Sequence, residues 1–208
     1  CLPVPGPWVA IPARTEASPG QALYELRCPL PGYIVAGTDV RLSDREIDVS
    51  FRGETGSPVS PGVTTSRAVL FSGTFAGTRR VQTAFRPFIG CVPTSGGGGR
   101  DQTSVRRPAA LRPTRPLERR VVTRRLQSGV SSRVVARCRK GERLVAGSHA
   151  VGFFTGNAPP GQSLLGAVEV VTRLQAGAVV ATVTTAPSLP PALRVVAQVH
   201  AVCRKASL

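Results

Sequence analysis

The sequence contains no methionine, a single tryptophan and two histidines, and aromatic residues make up only 5% of it. A hydrophobic core must therefore consist mainly of valine, alanine, leucine and isoleucine. No apolar run reaches the roughly 18 residues that a membrane-spanning helix needs. These absences predict a protein that is soluble or attached to a surface, with a core poor in aromatic rings.

Sequence signatures of catalysis and of cofactor binding are also missing. Ser148 and His149 are neighbours, which point to opposite faces of a strand, so they would not meet as nucleophile and base. The glycine tract at 96–99 lacks the Lys and Ser/Thr of a phosphate-binding loop. No CxxC pair is present for a metal. We therefore predict no enzyme activity, no cofactor and no small-molecule substrate.

One acidic cluster invites a metal hypothesis. A Ca²⁺ loop would need the D-x-D-x-D-G pattern, which is absent. Alternation of the acidic residues along a strand favours a solvated strand face instead, and we predict no metal site. The cluster consists of Asp39, Asp44, Glu46 and Asp48.

Strand-sized segments recur about every ten residues, separated by glycine and proline. Residues 45–53 alternate, with Ile47, Val49 and Phe51 on the inward face. Residues 193–203 alternate in the same way, and 168–186 predicts a hairpin that turns at Gly177. This pattern predicts an all-β fold of antiparallel sandwiches or small barrels.

Two stretches of the chain share one frame. Residues 27–38 are RCPLPGYIVAGT and residues 137–148 are RCRKGERLVAGS. A second cysteine follows at a nearly equal distance in each copy. Shared spacing with few shared side chains predicts a duplicated domain. In each copy we expect the cysteine to start a strand that continues through Val-Ala-Gly, with Gly37 and Gly147 permitting a bulge or a close backbone approach.

The cysteines allow two interpretations. The repeat pairs Cys28 with Cys91 and Cys138 with Cys203, leaving Cys1 alone; alternatively, these four are free buried thiols. Pairing is favoured because both copies keep the two positions while losing nearly everything else. A disulfide closing such a loop stabilises a domain by about 4 kcal/mol and indicates an oxidising compartment, which predicts a secreted or cell-surface protein.

Composition divides the chain into four parts. Residues 1–16 form a Pro-rich extended arm, or an edge strand but not a central one. Residues 17–92 form the first β-domain, and 93–116 a flexible Gly/Arg/Pro-rich linker. Residues 117–208 form the second β-domain, beginning with one or two strands.

The arm has two candidate functional residues. The missing initiator methionine suggests a processed chain whose mature start is Cys1, available for a lipid anchor or for an intersubunit disulfide. Trp8 and its apolar neighbours must be buried, either on their own domain or in a groove of the next subunit. The second option predicts a homo-oligomer or filament, and a lipid on Cys1 is the one membrane link that we expect.

Most of the net charge of +16 lies in the middle of the chain, where residues 100–143 include only three acidic residues. This segment could bind polyanions, or it could be a solvated, self-repelling linker. The absence of aromatics from 92–152 argues against stacking on nucleic-acid bases. The candidate polyanion-binding residues are Arg106, Arg107, Arg112, Arg115, Arg119, Arg120, Arg124 and Arg125.

The frame ARCRKGERLVAGSHAVGF … VVAQVHAVCRK resembles a repeat of secreted proteins from GC-rich bacteria. In that repeat Ala-x-Cys-Pro-x-Gly-x-x-Val-(Leu/Val)-Gly-Gly-Gly precedes a strand ending in Tyr-Ala-Val-Cys. The resemblance implies a disulfide-closed extracellular β-domain and brings no catalytic residue. The second copy matches at Cys138, Gly141, Leu144, Val145, Gly147, Ala201, Val202 and Cys203, and the first at Cys28, Pro29, Gly32, Ile34, Val35, Gly37 and Cys91.

Together these features favour an extracellular structural protein, a self-assembling subunit of a bacterial surface fibre or layer. Sheet edges of tandem β-domains are sites where another chain can add a strand. One alternative is a secreted module that binds polyanions or polysaccharides through residues 100–143. A second alternative is a phage virion protein, such as a decoration or tail protein.

Overall fold

A computed structural model of the chain describes residues 1–13, 20–52, 67–77, 83–93, 117–157, 166–190 and 192–205. These residues form thirteen β-strands, and none of them lies in a helix that could cross a membrane. Most of the predicted linker, residues 94–116, lies outside the described ranges. The strands are β1 Leu2–Pro5, β2 Trp8–Ile11, β3 Gln21–Arg27, β4 Tyr33–Leu42, β5 Ile47–Arg52, β6 Ala68–Phe75, β7 Thr83–Pro93, β8 Leu117–Leu126, β9 Ser131–Arg137, β10 Glu142–Phe154, β11 Val168–Gln175, β12 Ala178–Thr185 and β13 Arg194–Lys205.

The strands form one large sheet and two small ones, all with antiparallel pairing, as the sequence predicted. In the large sheet β4 pairs with one side of β7, and β1 and β2 pair with the other. From β2 the sheet continues through β10 and β13 to β8. The small sheets have the orders β3-β6-β5 and β11-β12-β9. The predicted hairpin of β11 and β12 is confirmed.

The two halves of the chain have matching strand pairing. In the first half β3 and β5 flank β6, and β4 pairs with β7; in the second, β9 and β11 flank β12, and β10 pairs with β13. On the remaining side of its last strand, the first half has β1 and β2 where the second has β8. We call residues 1–93 repeat 1 and residues 117–205 repeat 2.

The sequence predicted an extended arm or an edge strand for the N-terminal segment. Strand β1 is such an edge strand, since it pairs only with β7 among the described residues, but the prediction is wrong for β2. Four prolines led to that expectation, but they flank β2 and none lies within it. Both edges of Trp8–Ile11 can therefore form ladder hydrogen bonds. β2 lies in the centre of the large sheet, between β7 of repeat 1 and β10 of repeat 2, and all four of its residues are buried.

Each small sheet packs on its own part of the large sheet, and the two cores exchange residues. Ala150 and Val196 of repeat 2 join the core of repeat 1, and Ala10 joins the core of repeat 2. The second face of β13, which includes His200, is therefore buried as well. One inward prediction is wrong: Phe51, near the end of the outer strand β5, is 51% exposed.

Both predicted disulfides are present, with Cα–Cα distances of 6.0 Å for Cys28–Cys91 and 5.7 Å for Cys138–Cys203. The cysteines follow β3 and β9 instead of starting a strand. The chain then turns through a glycine with positive φ, Gly32 at 78° in repeat 1, before the Val-Ala-Gly segment enters the next strand. That part of the sequence prediction is therefore wrong.

The repeated Val-Ala-Gly letters do not coincide in the structure. Val35 lies opposite Cys91, whereas Leu144, not Val145, lies opposite Cys203. The bulged residues are Ala36 and Val145, so the bulge is not at the glycine. The turn from the cysteine to its positive-φ glycine is one residue longer in repeat 1, which shifts the identical letters by one position.

Candidate functional site

The seam between the repeats begins where β2 meets β10. Val9 lies opposite Gly152, and Trp8 lies opposite Phe153. A Cβ atom on Gly152 would lie 2.5 Å from Cγ of Pro7, so this position accepts only glycine while the proline covers it. Trp8 is buried here against the second repeat. Its assignment as an anchor in a neighbouring subunit is therefore wrong, because it joins two repeats of one chain.

One side chain closes the seam on the outer edge of β3. The Oε1 of Gln198 accepts a hydrogen bond from the backbone N–H of Glu25 at 2.6 Å, and its Nε2 donates to the Glu25 carbonyl at 3.0 Å. The same Nε2 lies 3.1 Å from Oγ1 of Thr123. A glutamine amide thus satisfies the edge strand of repeat 1 as a neighbouring strand would.

His200 lies fully buried beside this amide. Its Nε2 is 2.8 Å from Oε1 of Gln198, and because that oxygen can only accept, Nε2 carries the proton. Its Nδ1 is buried without a hydrogen-bond partner. Burial, and secondarily the charge of Arg119, lower the pKa of His200 to about 4. The imidazole is therefore neutral at physiological pH.

A groove of about 390 Å³ opens along the seam. Arg27 on its wall forms an exposed ion pair with Glu25 at 3.2 Å. Arg119 and Thr123 of β8 line the opposite wall, so the groove brings together charged residues from both repeats. The lining residues are Glu25, Arg27, Arg119, Val121, Thr123 and Gln198.

Among the described residues, three strands of the large sheet have an unpaired side: the short β1, which pairs only with β7, and the longer β4 and β8 at the two ends of the sheet. In the part of the chain that the structure describes, β4 pairs only with β7 and β8 pairs only with β13. Each strand has ten residues, and most residues of β8 are exposed. Unpaired N–H and C=O groups on such edges are sites where another strand can add.

The predicted polyanion-binding arginines are divided by the structure. In β8, Arg120 is bound to Glu142 at 2.7 Å, and Arg124 donates to the Arg133 carbonyl at 3.0 Å. Arg119 and Arg125 alternate with them and share the other face of the strand. The other four, Arg106, Arg107, Arg112 and Arg115, lie outside the described residues.

The remaining candidates form no evident site. Cys1 is free and exposed. Among the described residues, the one group with metal-ligand spacing combines Glu142 with Cys138 and Cys203, and its two thiols are bonded to each other. In the acidic cluster the Oδ1 of Asp44 accepts the backbone N–H of Glu46 at 2.9 Å, a local turn.

Sequence reasoning missed the seam, although one signal was available. The second face of β13 contains Val196, and an apolar residue on a face otherwise made of Gln198 and His200 is a weak sign of burial. Comparisons with known protein families, with curated proteins and with solved structures found no match to this chain.

Proposed function

We propose that the protein is an extracellular structural protein, a subunit that assembles with copies of itself into a surface fibre or layer. The observation that carries this proposal is the large sheet with an open strand at each end, β4 in repeat 1 and β8 in repeat 2. An edge of one copy can extend the sheet of the next. In this proposal the two repeats are tandem disulfide-closed domains.

The two disulfides support the extracellular location, because such bonds persist in oxidising compartments. The resemblance to secreted bacterial repeats rests on the motif residues alone and agrees with it. In protein taken directly from its source and alkylated without reductant, we expect only Cys1 to be labelled. Labelling of Cys28 or Cys138 would contradict the proposed location.

Assembly is tested by sedimentation velocity and electron microscopy of the purified chain over a wide concentration range. We expect species that grow with concentration. The Cys1→Ser variant is the matched control, since it removes covalent dimers and leaves the edges intact. A chain that stays monomeric at every concentration would show that the proposal is wrong.

Polyanion binding remains a second candidate because Arg119 of β8 and Arg27 of β3 both line the seam groove. It predicts retention on heparin that falls steeply with salt. The Arg27→Gln/Arg119→Gln double variant, which leaves Arg124 and Arg125 in place, should elute at lower salt while its sedimentation is unchanged. A phage virion protein, the other alternative, would also assemble with copies of itself. It would differ from a surface fibre in the compartment where assembly takes place.

A further inference from the structure

The seam already shows how one repeat joins the next. β2 belongs to the segment that takes the place of β8 in repeat 1, and β10 takes the place of β4 in repeat 2. The junction inside the molecule is therefore a pairing of a β8-type segment with a β4-type strand. The two strands left open at the ends of the sheet are of the same two types, because they are β8 itself in repeat 2 and β4 itself in repeat 1. The molecule has the form of two consecutive units from a longer head-to-tail series.

We propose that β8 of one copy pairs with the end of β4 in a second copy, in the antiparallel register that β2 uses with β10. This inference rests on the proposed function and specifies its interface. Such a contact joins different surfaces of the two copies, so it repeats without closing and produces a filament.

The repeat fixes which residues meet. Val9 lies opposite Phe85, six residues before Cys91, and Arg124 lies opposite Ala197, six before Cys203. Arg124 is therefore the counterpart of Val9. Gly152 lies opposite Val196, seven residues before Cys203. Its counterpart is Ser43, whose N–H bonds the carbonyl of Ala84, seven before Cys91, at 3.0 Å. The register of the seam thus places Arg124 of one copy opposite Ser43 of the next.

The outer junction differs in chemistry from the seam. Pro7 and Trp8 occupy the place of the single residue Thr123, so no proline ring lies over Ser43, and its Cβ can be accommodated. Asp44 takes the place of Phe153. The β2–β10 contact is apolar, as permanent interfaces are, whereas the outer junction is polar and suited to reversible contact.

Charge selects the partner edge. Strand β8 contains four arginines and one glutamate, a net charge of +3, whereas residues 39–48 contain four acidic and two basic residues, a net charge of −2. A β8 edge therefore attracts the β4 end of another copy and repels a second β8. The exposed bond from Arg124 to the Arg133 carbonyl must be released on docking.

The test is disulfide trapping between copies in a Cys1→Ser background. Ser43→Cys and Arg124→Cys are made in separate chains, which are mixed at a concentration where the chain associates and are oxidised mildly. We expect a cross-linked dimer from the mixture and none from either variant alone. The matched control replaces Arg124→Cys with Leu174→Cys, an exposed position on β11, and should not cross-link to Ser43→Cys.

Four results would overturn the inference. Cross-linking of Arg124→Cys alone would show pairing of two β8 edges, and cross-linking of Ser43→Cys alone would show pairing of two β4 edges. Polymers without a mixed cross-link would refute this junction and leave the proposed function standing. Monomers at every concentration would refute both.

Charge reversal supplies a second test, in chains that keep the five native cysteines and gain no new one. In this register Asp44 lies opposite Thr123, with Arg125 as its diagonal neighbour on the same face. Arg125→Glu and Asp44→Arg should therefore each weaken the association constant about two- to fivefold, since like charges would then lie near each other across the junction. The double variant should recover most of the loss. Weakening without recovery in the double variant would contradict the predicted contact.

Discussion

The first strands of the two repeats occupy the same place and have opposite characters. β1 and β2 are apolar, broken by prolines, and β2 is buried between two strands. β8 is unbroken, contains four arginines and is mostly exposed. The difference follows from position in the series, because one segment is covered by the next repeat and the other is not. The same strand position can therefore hold an apolar or a charged sequence, depending on whether another strand covers it.

The largest effect should come from the buried member of this pair. Trp8→Ala should lower the free energy of unfolding by about 3–5 kcal/mol, because it opens a cavity between the repeats. Val122→Ala on β8, at an exposed site, should change it by less than about 0.5 kcal/mol. Urea unfolding followed by circular dichroism measures both variants. Tryptophan fluorescence would not serve, because Trp8→Ala removes the only tryptophan. Equal losses would contradict the assignment of the seam to β2.

The disulfides sharpen the comparison because they close loops of nearly equal length, 63 and 65 residues apart in sequence. Removing either bond with paired Cys→Ser substitutions should cost about 4 kcal/mol. Denaturation of C28S/C91S and C138S/C203S tests this. A loss of stability in only one variant would show that the two disulfides do not stabilise their repeats equally.

The pH dependence of stability should differ between the repeats, because repeat 2 has the titratable His200 where repeat 1 has Phe88. The pKa of His200 is lowered to about 4 in the fold, so the unfolded chain binds the proton first as pH falls. Stability is unaffected above about pH 6.5 and decreases between about 6.5 and 4, by up to about 3 kcal/mol.

Unfolding between pH 5 and 7 tests this dependence in two variants. His200→Phe, which copies repeat 1, should remove most of it. Burial also lowers the pKa of His149, by less, so His149→Gln should remove only a smaller part. A slope that survives in His200→Phe would assign the pH dependence to other groups.

The smallest effect compares the two glycines of the repeated motif. A Cβ on Gly147 would lie 2.4 Å from Val179, whereas nothing lies within 4 Å of such an atom on Gly37. Gly147→Ala should therefore cost about 1–3 kcal/mol, and Gly37→Ala should be neutral or gain up to about 1 kcal/mol. Thermal unfolding of both variants measures the difference. Similar losses would mean that the motif glycines do share one environment.

Several elements were predictable from local pattern. Alternation at Ile47 and Val49, and the break at Gly177, located strands and a hairpin because side chains on a strand have a period of two. The cysteine spacing predicted both bonds because a duplicated frame keeps equivalent positions together. The shared Val-Ala-Gly segment predicted equivalent positions in the two repeats, and this was wrong, because identical residues shift by one position when the preceding turn changes length.

By itself the sequence determined the β class, the repeated cysteine frame and the cysteine pairs, since each depends on local periodicity or on spacing along the chain. Only the tertiary structure decided that β2 lies centrally, that Gln198 closes the edge of β3 and that His200 is buried. Each of these depends on which strands become neighbours. Strand order is set by contacts between residues as far apart as Glu25 and Gln198, which no window of the sequence contains.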